Sequence, residues 1–243
     1  MAFEPRTYRR AVEPSGLVTF EVAVGETDLQ VAARTDLREQ AAELVVAARA
    51  DIEGYVAAHP FFVETYLPFE VSPDAPPIVR AMARAACTAT VGPMAAVAGA
   101  VAEYVARGLA DFSDEVVVEN GGDIFMLGAT ERTLRLHAGP SPLSDRVGIV
   151  LDAGLMPVAV CTSSATVGPS VSLGSADAAC VIADSGALAD AVASALGNRV
   201  HSAEDVHAAI DAVKGIPGVR GLIVVADETL GAWGVARLVA LEP

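Results

Sequence analysis

Asp190 and Ser194 stand four residues apart in the run Ala187–Leu196, a spacing that puts a carboxylate and a hydroxyl on one face of a helix. Both are hard oxygen donors, suited to Mg²⁺ or Ca²⁺ with backbone carbonyls and water completing the shell. A plainer reading is an aspartate facing the positive end of the helix dipole and a solvated or back-bonded serine, and spacing alone leaves both open. A second constellation is Asn120-Gly121-Gly122-Asp123, set between apolar Val116–Val118 and Ile124–Leu127. Paired glycines permit positive φ and let another group approach the backbone, which makes either a tight hairpin or a ligand cradle presenting amides with two polar side chains. Third comes Cys161–Ala176, a long stretch without a charged residue but dense in hydroxyls and glycines, as in a binding loop. Its Thr162, Ser163, Ser164 and Ser170 suit contacts to phosphate, ribose or a carbonyl. Asp177, just beyond it, reads as a helper carboxylate or as a turn residue.

Other chemistries lack their residues, and no catalytic residue is assigned from sequence. His59, His137, His201 and His207 are scattered singly and form no metal or triad spacing. No Gly-x-Ser-x-Gly elbow surrounds Ser163 or Ser164, which argues against a serine hydrolase. The 243 residues carry 16 basic and 31 acidic side chains, a formal charge of −15 that disfavours nucleic-acid backbones and acidic partners. With 53% hydrophobic and 19% charged residues the chain has ample material for a core, and one domain over 1–243 is expected. Three cysteines without Cys-x-x-Cys spacing suit reduced thiols in a cytoplasm. Met1–Ala11 is charged and lacks the apolar centre of a secretory signal. Ala85–Ala102 is uncharged and near membrane-span length, but Gly92-Pro93 divides it, so a buried, broken helix is expected rather than a membrane segment.

The elements that must position these residues follow from periodicity. Leu17–Val24 and Asp28–Ala33 alternate as a hairpin around Gly25-Glu26-Thr27. Leu44, Val45, Ala48, Ile52 and Val56 mark a helix over Leu37–Ala58, stopped by His59-Pro60. After a proline-rich loop around Pro68–Pro77, a helical region runs from Ile78 to about Ala110 with its break at Gly92-Pro93. Strands are expected at Glu115–Glu119, Asp123–Leu127, Thr133–His137, Val147–Leu151, Val158–Cys161 and Ala178–Ala183. Ser185 caps the helix Ala187–Leu196, and Ser202 with Asp205 opens another reaching about Val213. Gly221–Val225 and Val235–Leu241 close the chain as strands. Helices early and strands later imply an α+β layer fold with a largely antiparallel sheet, and no fixed-period repeat is present. Ala/Gly-rich helix faces leave room for a homo-oligomer interface.

In order along the chain, Asn120-Gly121-Gly122-Asp123, Thr162-Ser163-Ser164 and Ala189-Asp190-Ala191-Val192-Ala193-Ser194-Ala195-Leu196 resemble the motifs of the ApbE-like superfamily, the FAD:protein FMN transferases. Glu26-Thr27-Asp28-Leu29, Val91–Gly99, Glu119–Asp123 and Cys161–Ser164 are similar to one branch of it, a likeness spanning nearly the whole chain. The resemblance implies an ApbE-like relative of the T-fold, with helices packed on the sheet. It implies Mg²⁺ held by Asp190 and Ser194, Ser194 standing where the transferases have threonine. It also implies a flavin (FAD or FMN) or related nucleotide bound at Asn120, Gly121, Gly122, Asp123, Thr162, Ser163, Ser164, Ser170 and Asp177, with a protein acceptor for transferred FMN. Two segments depart from the transferases: Val97-Ala98-Gly99-Ala100 has no lysine beside its glycine, and Val167-Gly168-Pro169-Ser170 carries no histidine. Two functions therefore stay open, a Mg²⁺-dependent flavin transferase with altered phosphate contacts and a non-catalytic small-molecule-binding protein on the same scaffold.

Overall fold

Side-chain parity along the strands divides the core into two layers. On the third strand Val116 and Val118 belong to one apolar cluster and Val117 to the other, and the fourth strand divides Phe125 from Ile124 and Met126 in the same way. Successive residues of a strand face opposite sides of its sheet, so a strand with both parities apolar is covered on both faces. The computed structural model, which describes residues 16–167 and 172–242, shows what covers them.

The main sheet has eight strands in the order β1-β2-β3-β4-β7-β8-β9-β10. They are β1 Val18–Val24, β2 Thr27–Ala33, β3 Val116–Asn120, β4 Asp123–Leu127, β7 Val158–Ser163, β8 Ala178–Ala183, β9 Val219–Ala226 and β10 Thr229–Gly234. Every neighbouring pair is antiparallel, in agreement with the sequence reading. A second sheet of β5 Arg132–Arg135, β6 Val147–Leu151 and β11 Arg237–Ala240 covers one face, burying Leu134, Leu136, Ile149 and Leu151 against Ile124, Met126, Val160 and Ile182. The buried pair Glu115–Arg132, 2.6 Å apart, ties the start of β3 to β5.

Helices cover the other face: α1 Arg38–Ala58, α2 Phe61–Glu64, α3 Pro77–Ala89, α4 Val97–Leu109, α5 Gly186–Gly197 and α6 Val206–Val213. In α1 the buried residues are Ala41, Val45, Ala48 and Ile52, with Leu44 and Val56 of the expected stripe packing half-buried against the same cluster. The region expected from Ile78 to Ala110 is two helices, α3 and α4, joined through a 3₁₀ turn at Pro93–Ala96 and bent by 106°. Its small residues are buried in the core, and no single helix among the described residues is long and apolar enough to cross a membrane. The Ser185 cap forms on Leu188 N–H, and the Ser202/Asp205 capping box is present. Two elements differ from expectation. The proline-rich loop is preceded by the short α2, and β10 lies between the two closing strands expected at Gly221–Val225 and Val235–Leu241, in a segment read as no strand.

Candidate functional site

Gly121 and Gly122 form the two-residue turn between β3 and β4, with φ of +67° and +103° and Asn120 paired across to Asp123. Positive φ at both positions is what a tight hairpin needs and what glycine supplies without cost from a Cβ. The turn is a tight hairpin tied to the helical layer: Asn120 Nδ2 donates to Ala98 O over 3.1 Å at the start of α4. Gly122 N–H donates to Glu119 Oε1 at 2.8 Å, closing the turn from below.

Asp123 leaves this turn toward the helices and is buried. The Cys161 thiol, which donates to Gly186 O at 3.7 Å, and the Thr162 backbone amide both act to favour the ionised form of Asp123. Burial, and the charge of Asp190 beside it, push its carboxyl well above the usual aspartate range. Asp190, half-buried on α5, accepts from Gly99 N–H at 2.9 Å through Oδ2. Burial raises its carboxyl to about 7 even though the amides of Gly99 and Ala98 favour the charged form. Two carboxylates from distant parts of the chain, one on a hairpin turn and one on a helix, thus lie near enough for their charges to interact, and protons or a cation must offset that charge.

The helix–helix approach that delivers Asp190 depends on glycine. A Cβ built at Gly99 would lie 2.2 Å from Gly186 O, and one at Gly186 would lie 2.1 Å from Gly99 O. The start of α5 is held in turn by Glu103, whose Oε2 accepts from Gly186 N–H at 2.7 Å. Ser194 is half-buried one helical turn beyond Asp190. Among the described residues no group of three or more His, Cys, Asp or Glu side chains has the arrangement of a metal centre.

The hydroxyl-rich segment divides by role. Thr162 and Ser163 end β7, half-buried. Thr162 stands opposite Cys180 in the β7–β8 register, on the sheet face away from α5, so its side chain faces the other layer and toward Asp123 this residue offers its amide. Ser163 Oγ lies 3.5 Å from a Cβ position at Gly197, at the C-terminal end of α5. Ser164 Oγ instead accepts from the amides of Thr166 and Val167 at 3.1 and 3.0 Å, which makes it a turn former. Asp177 accepts from Asp227 N–H at 2.8 Å and from Thr166 Oγ1 at 3.3 Å, fastening the loop to the β9–β10 turn. Ser170 lies outside the described residues.

Sequence reasoning did not single out Glu103 or the thiol of Cys161 as parts of this site. One signal for Glu103 was present: Gly99-Ala100-Val101-Ala102-Glu103 and Gly186-Ala187-Leu188-Ala189-Asp190 share the pattern Gly-Ala-aliphatic-Ala-acid. It is a single pair, which a search for fixed-period repeats passes over.

A family model described as AbpE bacteria matches residues 9–215. A UPF0280 protein of Methanosarcina barkeri is 40% identical over 81% of this chain and 78% of its own length. Another, of Methanosphaerula palustris, is 44% identical over 81% of each. Among solved structures, the flavin transferase ApbE from Vibrio cholerae superposes with a TM-score of 0.57, covering 92% of this chain and 97% of its own at 13% identity. That last likeness is one of fold.

Proposed function

The chain belongs to the AbpE bacteria family, a branch of the ApbE-like superfamily, and from that premise we propose that it binds a flavin (FAD or FMN) or related nucleotide together with Mg²⁺. The observation that carries this reading is the convergence of Asp123 and Asp190 beside the Gly121-Gly122 turn and the N-terminus of α4. The residues fit a hard divalent cation. Asp190 and Ser194 offer a carboxylate and a hydroxyl on one face of α5, and the second carboxylate, Asp123, brings negative charge that a divalent cation would offset in place of the protons held there.

When bound, Mg²⁺ neutralises and orients a pyrophosphate. The chain supplies the frame: Asn120 locks the glycine turn to α4, Gly99 fixes Asp190, and Ser163 at the end of β7 sets its hydroxyl beside Gly197, the last residue of α5. In the transferase form of this reading an acceptor hydroxyl attacks the FMN phosphorus, forming the new P–O bond as the bond to AMP breaks and the hydroxyl proton is released. Incubation with FAD and Mg²⁺ tests this through AMP release and flavin covalently attached to protein.

One observation favours binding without transfer. The start of α4 reads Val97-Ala98-Gly99-Ala100, with no cation to meet phosphate, and Ala98 O and Gly99 N–H are both engaged within the protein. Mg²⁺-dependent flavin binding with no AMP released would decide for this form.

A further inference from the structure

We propose that Glu103 is a positioning residue for the cation-binding carboxylate, an inference that rests on the reading above. Glu103 lies one helical turn after Gly99 on α4, as Asp190 lies one turn after Gly186 on α5. The two helices exchange the same bond in both directions: Gly99 N–H donates to Asp190 Oδ2 at 2.9 Å, and Gly186 N–H donates to Glu103 Oε2 at 2.7 Å. Between these bonds the glycines pack backbone against backbone, each barring a Cβ on the other. A shift of α5 along its axis would break both bonds at once, so the register that presents Asp190 is set from α4.

Glu103 is itself fixed. Its other carboxylate oxygen accepts from Arg107 Nε at 2.7 Å, and the Arg107 guanidinium lies 5.1 Å above the ring of Phe125, on β4 two residues after Asp123. The chain Gly186–Glu103–Arg107–Phe125 therefore links the first residue of α5 to the strand that carries the second carboxylate. Gly186 N–H is also one of the amides that a helix N-terminus leaves without an intrahelical partner, and a carboxylate there complements the helix dipole. Groups that orient a metal ligand without touching the metal change affinity by about tenfold to a hundredfold when removed.

The test uses Mn²⁺ as the probe, its affinity for the full chain measured by electron paramagnetic resonance and calorimetry, with the melting temperature of the metal-free protein measured in parallel. Glu103→Leu should weaken Mn²⁺ binding about tenfold or more, whereas Glu103→Gln, which keeps an acceptor for Gly186 N–H, should retain most of it. If Glu103→Leu does not fold, Glu103→Asp, whose shorter side chain falls back from Gly186, takes its place with the same expected direction. A role in stability alone would lower the melting temperature and leave the Mn²⁺ affinity of the folded protein unchanged, and that result would overturn the inference. Equal weakening in Glu103→Gln and Glu103→Leu would overturn it too. Failure of the wild-type protein to bind Mn²⁺ would bring down the underlying reading and this inference together, whereas wild-type binding with an unaffected Glu103→Leu would remove the inference alone.

Discussion

Gly99 of α4 and Gly186 of α5 meet through their backbones, and each would place an added Cβ about 2 Å from the other's carbonyl oxygen. The obstacle on both sides is backbone, which cannot swing aside as a side chain can. Gly99→Ala and Gly186→Ala should each destabilise the protein by about 3 kcal/mol or more in chemical denaturation. Gly54, inside α1 with nothing within 4 Å of its Cβ position, provides the contrast: Gly54→Ala should stabilise by about 0.5–1 kcal/mol.

Asp177 and Ser164 should prove structural. Asp177→Ala leaves the Asp227 amide and Thr166 hydroxyl without their acceptor, and a cost of about 1–3 kcal/mol should be measured by denaturation. Flavin affinity of the folded variant, measured by calorimetry, should stay within the error of wild type.

That contrast shows how far the site was legible in the sequence. The Asn120–Asp123 turn and the Asp190/Ser194 helix announce their conformations through glycine chemistry and helical spacing, and the tertiary fold brings Asp123 and Asp190 together. Ser164 and Asp177 are of the same residue types as a binding set, but serine and aspartate serve turns equally well, and only the partners of their oxygens separate the two roles. Strand parity explains Thr162: with Cys161 on the helix side, its neighbour must face the other layer. The sheet was readable because β3, β4 and β8 are apolar on both faces. In contrast, β10 is Gly-rich and largely exposed, so its strand character depends on pairing with β9 that local composition does not signal.

Stability of the metal-free protein should fall as pH rises. Asp190 has its folded-state carboxyl raised to about 7, and Asp123 is shifted in the same direction. In the unfolded chain aspartate releases its proton near pH 4. The folded state therefore holds protons that the unfolded state has lost, and this contribution is fully present below about pH 4 and lost as pH climbs through about 7. Denaturation midpoints between pH 4 and 8 should decline accordingly, and Asp190→Asn should flatten the decline.

Thiol reactivity should follow burial. Cys87 is exposed, whereas Cys161 and Cys180 are buried with thiols pushed up, Cys180 to about 12. Titration of the native protein with a disulfide reagent at pH 8 should modify Cys87 alone, with Cys161 and Cys180 reacting after denaturation.

The most direct measurement is a calorimetric titration of the wild-type protein and Asp190→Ala with FAD and FMN, each with and without Mg²⁺. Flavin binding should require Mg²⁺ in the wild type and be lost in the folded variant. No flavin binding by the folded wild type, or binding unaffected by Mg²⁺ and by Asp190→Ala, would contradict the proposed function.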